Sequence, residues 1–133
     1  MEKIFVDTSA IYALISGDET QAGQAVPAWE AILERGSTLI TNNYVLVEAI
    51  SLLQNRTGLA SVHAFRSSIM PFLQVVWIDE KIHSAIMNHL LSANRRQLSL
   101  VDCSSFETMR QLGIEQVFTF DEHFGEQGFT VIP

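Results

Sequence analysis

A single cysteine, Cys103, is all the thiol chemistry in the 133-residue sequence, so no intramolecular disulfide can form and no second thiolate is available for a zinc site. Packing alone must hold the fold. No run of eighteen uninterrupted apolar residues is present, which excludes a simple membrane-spanning helix. The N-terminal stretch Met1-Glu-Lys-Ile-Phe-Val-Asp7 places a carboxylate where a secretion signal would continue its apolar run, so a soluble, cytoplasmic protein is expected. Positive charge is scarce as well. Eight Lys and Arg face fifteen Asp and Glu, and the formal net charge of −7 argues against holding nucleic acid by bulk electrostatics. Internal repeats, low-complexity tracts, interdomain linkers and a glycine-rich P-loop are also missing.

What remains is an apolar, patterned chain. At 133 residues and 47% apolar content it has the length and the material for one well-buried core, so a single domain over residues 1–133 is expected. With eight phenylalanines among those apolar residues, part of that material is expected to serve self-association.

The pattern alternates strands and helices. Lys3 to Val6 reads as a strand, and Ala10, Ile11, Leu14 and Ile15 mark a helix over Thr8 to Ser16. Gly17 to Gly23 reads as a polar loop, followed by a helix carrying Val26, Trp29, Ile32 and Leu33, with Pro27 in its first turn and Gly36 ending it. Thr38 to Thr41 is a second strand and Asn43 to Arg56 a helix closed by Thr57-Gly58. A helical stretch from Leu59 should break at Pro71, before a β-branched strand at Val75 to Ile78. Ile82, Ala85, Ile86, His89, Leu90 and Ala93 recur at helical spacing, and Leu100 to Leu112 is a further helix stopped by Gly113. Gln116 to Phe120 and Phe129 to Ile132 complete five strands. Helix-length connections imply parallel strands with right-handed crossovers, covered on both faces: an α/β fold. In such sheets chemistry gathers just beyond the carboxyl ends of the strands.

Four acids stand out against that frame. Asp7 directly follows the first strand, where it can cap the next helix or face a site. Glu48 lies inside the apolar run Tyr44-Val-Leu-Val-Glu48-Ala-Ile-Ser-Leu-Leu53, so its charge needs solvent or a partner; its helical neighbours Tyr44, Ser51, Leu52 and Asn55 form a mixed face. Asp102 closes Ser99-Leu-Val-Asp102, which has the form of a capping box, and the same position at a helix N-terminus favours the ionised carboxylate. Asp121 follows the fourth strand, like Asp7 the first, and can equally be a turn residue; the adjacent His123 reads as a solvated side chain. Strand ends and helix starts supply three of the four acids to one sheet edge. Clustered carboxylates repel unless a cation joins them, and all-oxygen ligands suit Mg²⁺ or Mn²⁺, which could activate water against a phosphodiester. Arg95 and Arg96 are the cations best placed by position to meet phosphates, or else they end a solvated helix.

The sequence resembles the PIN-domain nucleases, and within them the stand-alone VapC-type toxins and ribonucleases. The resemblance rests on Val6-Asp7-Thr8-Ser9, on Glu48 in Val45-Leu-Val-Glu48, and above all on Leu98 to Phe106 running on to Gly113-Ile-Glu-Gln-Val-Phe-Thr-Phe-Asp-Glu-His-Phe124. It implies a three-layer α/β/α fold around a parallel sheet of about five strands. It further implies Mg²⁺ or Mn²⁺ held by Asp7, Glu48, Asp102 and Asp121, with Thr119 supporting the site, and endonucleolytic cleavage of RNA, expected to be single-stranded. A small antitoxin partner and a homodimer are implied too. The stretch from Gly17 to Trp29 departs from the family pattern. Two other readings stay open: a catalytically silent binding module of the same fold, in which the acids are caps, and a phosphotransfer enzyme with Asp7 as nucleophile. Against the second, Asp7-Thr8-Ser9 lacks a second acid two residues on.

Overall fold

In the computed structural model, which describes residues 2–133, five strands form one wholly parallel sheet. They are β1 (Lys3–Val6), β2 (Thr38–Asn42), β3 (Leu73–Val76), β4 (Gln116–Phe118) and β5 (Thr130–Ile132), in the order β3-β2-β1-β4-β5. Seven α-helices among the described residues connect them: α1 (Thr8–Ser16), α2 (Glu19–Glu34), α3 (Asn43–Thr57), α4 (Leu59–Ser68), α5 (Glu80–Ala93), α6 (Leu100–Leu112) and α7 (His123–Glu126). From β1 the chain steps outward to β2 and β3, then returns past β1 to β4 and β5. Right-handed crossovers in opposite directions put their helices on opposite faces. Helices α1 to α4 accordingly pack among themselves and α5 packs on α6, giving the expected three layers. The reversal of direction opens a crevice between the carboxyl ends of β1 and β4, which is where ligands bind in sheets of this kind.

The central strands β1 and β4 are short and mostly apolar because both faces are covered. Ile4, Phe5, Val6, Val117 and Phe118 are fully buried, and each such side chain contributes about 1.5–3 kcal/mol of transfer free energy. With Cys103 buried and unpaired, this packing is the crosslink the sequence lacks. One polar strut crosses it. Asn42, fully buried at the end of β2, accepts the Val45 N–H through Oδ1 and donates through Nδ2 to Ser104 Oγ (3.2 Å) and Thr108 Oγ1 (3.1 Å) on α6. It caps α3 and locks α6 against the sheet with one side chain. No helix among the described residues is long and apolar enough to cross a membrane.

Four boundaries differ from the sequence reading, each for a local reason. The segment read as a loop from Gly17 to Gly23 is mostly helix, since Asp18 caps α2 at Gln21 N (2.8 Å) and starts it at Glu19. Pro27 therefore lies inside α2 instead of in its first turn, on an exposed face where water can satisfy the carbonyl it leaves unpaired. The helix from Leu59 stops at Ser68 and gives way to a 3₁₀ turn at Met70–Phe72 around Pro71. Strand β3 ends at Val76 because the Asn43 side chain takes both backbone groups of Ile78. Strand β4 ends at Phe118 because Thr119 and Phe120 turn toward Asp7 and Ser9.

Candidate active site

The crevice between β1 and β4 is organised by hydroxyls around one buried carboxylate. Asp7 caps α1 and is 5% exposed. Its Oδ2 accepts from Thr119 Oγ1 at 2.8 Å and from Ser9 Oγ at 3.0 Å. The same hydroxyls hold the opposite strand end, since Ser9 Oγ accepts the Phe120 N–H (2.9 Å) and Thr119 Oγ1 accepts the Asp121 N–H (3.0 Å). Asp7 and Asp121, 114 positions apart in sequence, are thus linked through a single threonine oxygen.

Asp102 enters from α6, where the capping box is fully formed: Asp102 N donates to Ser99 Oγ (3.0 Å) and Ser99 N donates to Asp102 Oδ2 (3.1 Å). Asp121 begins the turn into α7 and accepts the His123 N–H at 2.9 Å, which carries the imidazole to the same side. Ligand atoms of Asp102, Asp121 and His123 all lie within 4.8 Å of one another. His123 Nδ1 is 3.0 Å from Asp121 Oδ1 but is not aligned for a hydrogen bond.

Electrostatics separate Asp7 and Asp102 from ordinary surface carboxylates. Burial, only partly offset by the Thr119 and Ser9 hydrogen bonds and reinforced by the charge of Asp102, pushes Asp7 up to about 6. Burial also raises Asp102; the Ser99 hydrogen bonds oppose it and the charge of Asp121 adds to it. No Lys or Arg is among the groups that shift either acid. Among the described residues two buried side-chain polar atoms make no hydrogen bond, and both flank this cluster: Thr8 Oγ1 and His123 Nδ1. A crowd of like charges beside an orphaned nitrogen is a donor set suited to a divalent cation.

Of the four acids read from the sequence, Asp102 and Asp121 meet directly and Asp7 joins them through charge and through Thr119. Glu48 is not among the three residues whose ligand atoms meet. It is half-buried on α3 and lines an adjoining depression of about 480 Å³ with Asn43, Tyr44, Val47 and Val101, the neighbour of Asp102. The reading of His123 as a solvated side chain is corrected: its ring is largely covered, 21% exposed, and belongs to the cluster. The signal was its spacing, two residues after a strand-end acid, where an Asx turn folds both side chains together. Ser9, which ties Asp7 to Phe120, was also legible only as part of a turn. Arg95, offered as a phosphate contact, is paired with Glu126 at 3.2 Å, and Arg96 is exposed. The Cys103 thiol is raised by burial and is a packing group.

The chain has relatives of known family and fold. The PIN domain model matches residues 4–129. The 23S rRNA-specific endonuclease VapC20 of Mycobacterium tuberculosis, strains CDC 1551 and H37Rv, is 31% identical over 130 residues, 97% of either chain. The crystal structure of that organism's VapC20, described as a sarcin-ricin loop cleaving toxin, superposes with a TM-score of 0.84 at 32% identity, covering 98% of this chain and 99% of that one. FitAcB from Neisseria gonorrhoeae shares the fold, with a TM-score of 0.67 at 20% identity over 98% of this chain and 96% of its own. On its sequence, its sheet order and its acidic crevice, the chain belongs to the PIN-domain family of nucleases, on the VapC-type branch.

Proposed function

We propose that residues 1–133 form a single-domain endoribonuclease that cleaves single-stranded RNA with Mg²⁺ or Mn²⁺ held by Asp7, Glu48, Asp102 and Asp121, and with Thr119 as the supporting hydroxyl. The observation that carries this reading is the meeting of Asp102, Asp121 and His123 within 4.8 Å beside the buried Asp7. His123 adds a nitrogen to what the sequence suggested was an all-oxygen set, which tilts the preference from Mg²⁺ toward Mn²⁺. A divalent cation bound there would lower the pKa of a coordinated water and neutralise charge on the phosphodiester. The chain's own residues supply placement: Ser9 and Thr119 fix the carboxylate plane of Asp7, and the Ser99 capping box fixes the rotamer of Asp102. Hydrolysis adds one water across the P–O bond, and the part of Asp7 would be to hold the cation as an ionised carboxylate.

The VapC20 relative is named for cutting 23S rRNA, so an exposed loop of ribosomal RNA is the first substrate to try. An RNA substrate also gives the protein a cytoplasmic place of action. As in a toxin pair, a small antitoxin would be its inhibitor, and a homodimer its working form. That Asp7 and Asp102 both serve as helix caps supports the competing reading, a silent binding module. End-labelled RNA incubated with EDTA, Mg²⁺, Mn²⁺ or Ca²⁺ decides between them. Cleavage should vanish in EDTA, return with Mg²⁺ or Mn²⁺ and stay low with Ca²⁺, whose looser shell places water less well. Cleavage that persists in EDTA overturns the mechanism, and metal binding with no cleavage of any RNA supports the silent module. Sedimentation at micromolar concentration should show a dimer.

A further inference from the structure

The two tryptophans of the chain have opposite environments. Trp29 is 9% exposed and stacked on Phe118 in the core, whereas Trp77 is 70% exposed at the carboxyl edge of the sheet. Exposing an indole so fully forfeits burial worth more than most residues supply. Nor is the segment loose. Strands β2 and β3 pair as far as Asn42↔Val76, so Asn43 and Trp77 leave the sheet side by side. The Asn43 side chain then accepts the Ile78 N–H at 2.6 Å and donates to the Ile78 carbonyl at 3.4 Å, fixing the backbone that presents Trp77.

Its cross-strand neighbour Asn43 connects the position to the acids. Asn43 lines the depression that runs past Tyr44, Val47 and Glu48 to Val101, next to Asp102. Strand β3 is two positions from β1, so the backbone of Trp77 stands about 10 Å across the sheet edge from that of Asp7. That is a span of a few nucleotides. The charge balance says which contact RNA needs there. With a net charge of −7 and eight Lys and Arg in the chain, a contact that needs no cation, stacking on an aromatic face, is one this surface can offer.

Building on the nuclease reading, we propose that Trp77 is a substrate-positioning residue whose indole stacks on an unpaired base of the RNA close to the scissile phosphate. A fixed aromatic face selects for splayed-out bases and against duplex, where bases are already stacked on each other. Trp77 therefore favours single-stranded substrate over double-stranded without reading a particular sequence.

Two measurements on the full chain test this. Titrating an unstructured mixed-sequence oligoribonucleotide in Ca²⁺ should quench the indole emission of the parent; in Trp77→Phe, which keeps only the core Trp29, the quench should disappear. In cleavage assays with Mn²⁺, Trp77→Ala should raise KM roughly 5- to 150-fold with kcat little changed, and Trp77→Phe should recover most of the loss. An abasic site at the stacked nucleotide should weaken the parent but not Trp77→Ala. Unchanged KM in Trp77→Ala overturns the proposal. So does a fall in activity accompanied by a shift from dimer to monomer in sedimentation, which assigns Trp77 to contact between copies. Quenching needs no cleavage, so a parent that binds through Trp77 yet never cuts overturns the nuclease reading alone.

Discussion

Strand β1 has a carboxylate at each end, and the two have opposite fates. Glu2, at the amino end, accepts from Ser37 Oγ at 2.5 Å, from Gln116 Nε2 at 3.0 Å and from Arg35 Nε at 3.2 Å, and these partners, Ser37 first, lower its pKa to about 2. Asp7, at the carboxyl end, is buried with hydroxyls and another acid for company and is raised to about 6. Glu2 is complete as it stands, a polar clasp joining β1 to the loop before β2 and to β4. Asp7 is held in place but not neutralised. The difference separates a carboxylate that stabilises a fold from one that the fold holds for another use.

Removing the charge of Asp7 should have the largest effect. Asp7→Asn should lower Mn²⁺-dependent cleavage at least ~100-fold, because a group that sets several kcal/mol of charge stabilisation is lost. The parent's affinity for Mn²⁺ should climb as pH rises through about 6, because metal-free Asp7 must ionise to bind it. A variant within tenfold of the parent would make Asp7 a cap and no more.

The same substitution should stabilise the metal-free protein. A folded pKa raised from 3.8 to about 6 means the native state binds more protons than the unfolded chain between those values, so this group's contribution to stability falls as pH rises across that window. At pH 7 the cost is about 3 kcal/mol, an upper bound on what Asp7→Asn can recover in EDTA. Melting below the parent at pH 7 would mean that the hydrogen bonds to the Asp7 carboxylate return more than its burial costs.

Asp102 sits between the two extremes, since its cap resembles the completeness of Glu2 and its neighbours resemble those of Asp7. In EDTA the loss of the capping box in Asp102→Asn, about 0.5–1 kcal/mol, should be offset by relief from Asp7 and Asp121, leaving the melting temperature close to the parent's. Mn²⁺ at about a hundred times its dissociation constant should then add roughly 2.7 kcal/mol to the parent and far less to the variant. Equal protection of both would return Asp102 to a purely structural role.

Glu2→Gln should do least. Its pKa is depressed, so its contribution is present above pH 4.5 and is lost as pH falls toward about 2. The variant should melt slightly below the parent at pH 7, match it near pH 2 and cleave RNA at the parent's rate. Impaired cleavage would mean that the two ends of β1 are coupled.

Most of this architecture was legible because apolar spacing and turn residues report local geometry faithfully. The alternation from Lys3 to Ile132 carried the parallel sheet, and Asp7, Asp102 and Asp121 fell at strand ends and helix starts where a switch point collects them. What stayed hidden depended on long-range partners. The strand pattern continued through Phe120 and Ile78, but hydrogen bonds to Ser9 and Asn43 took those residues out of the ladder. Pro27 and Gly23 looked like breakers, and one good cap at Asp18 with an exposed helix face outweighed both. His123 looked solvated because nothing nearby in sequence reveals that Asp102 packs against its turn.

The amide of Asn42 has a consequence for how the molecule comes apart. Helices on opposite faces of a parallel sheet have few direct contacts and could loosen at different free energies, as separate foldons. Here the residue that caps α3 is also bonded to two hydroxyls of α6, and every side-chain donor in that strut is already committed within the protein. Fraying the first turn of α3 therefore breaks the seat of α6, so the layers that carry Glu48 and Asp102 melt as one cooperative unit where the topology alone would allow two.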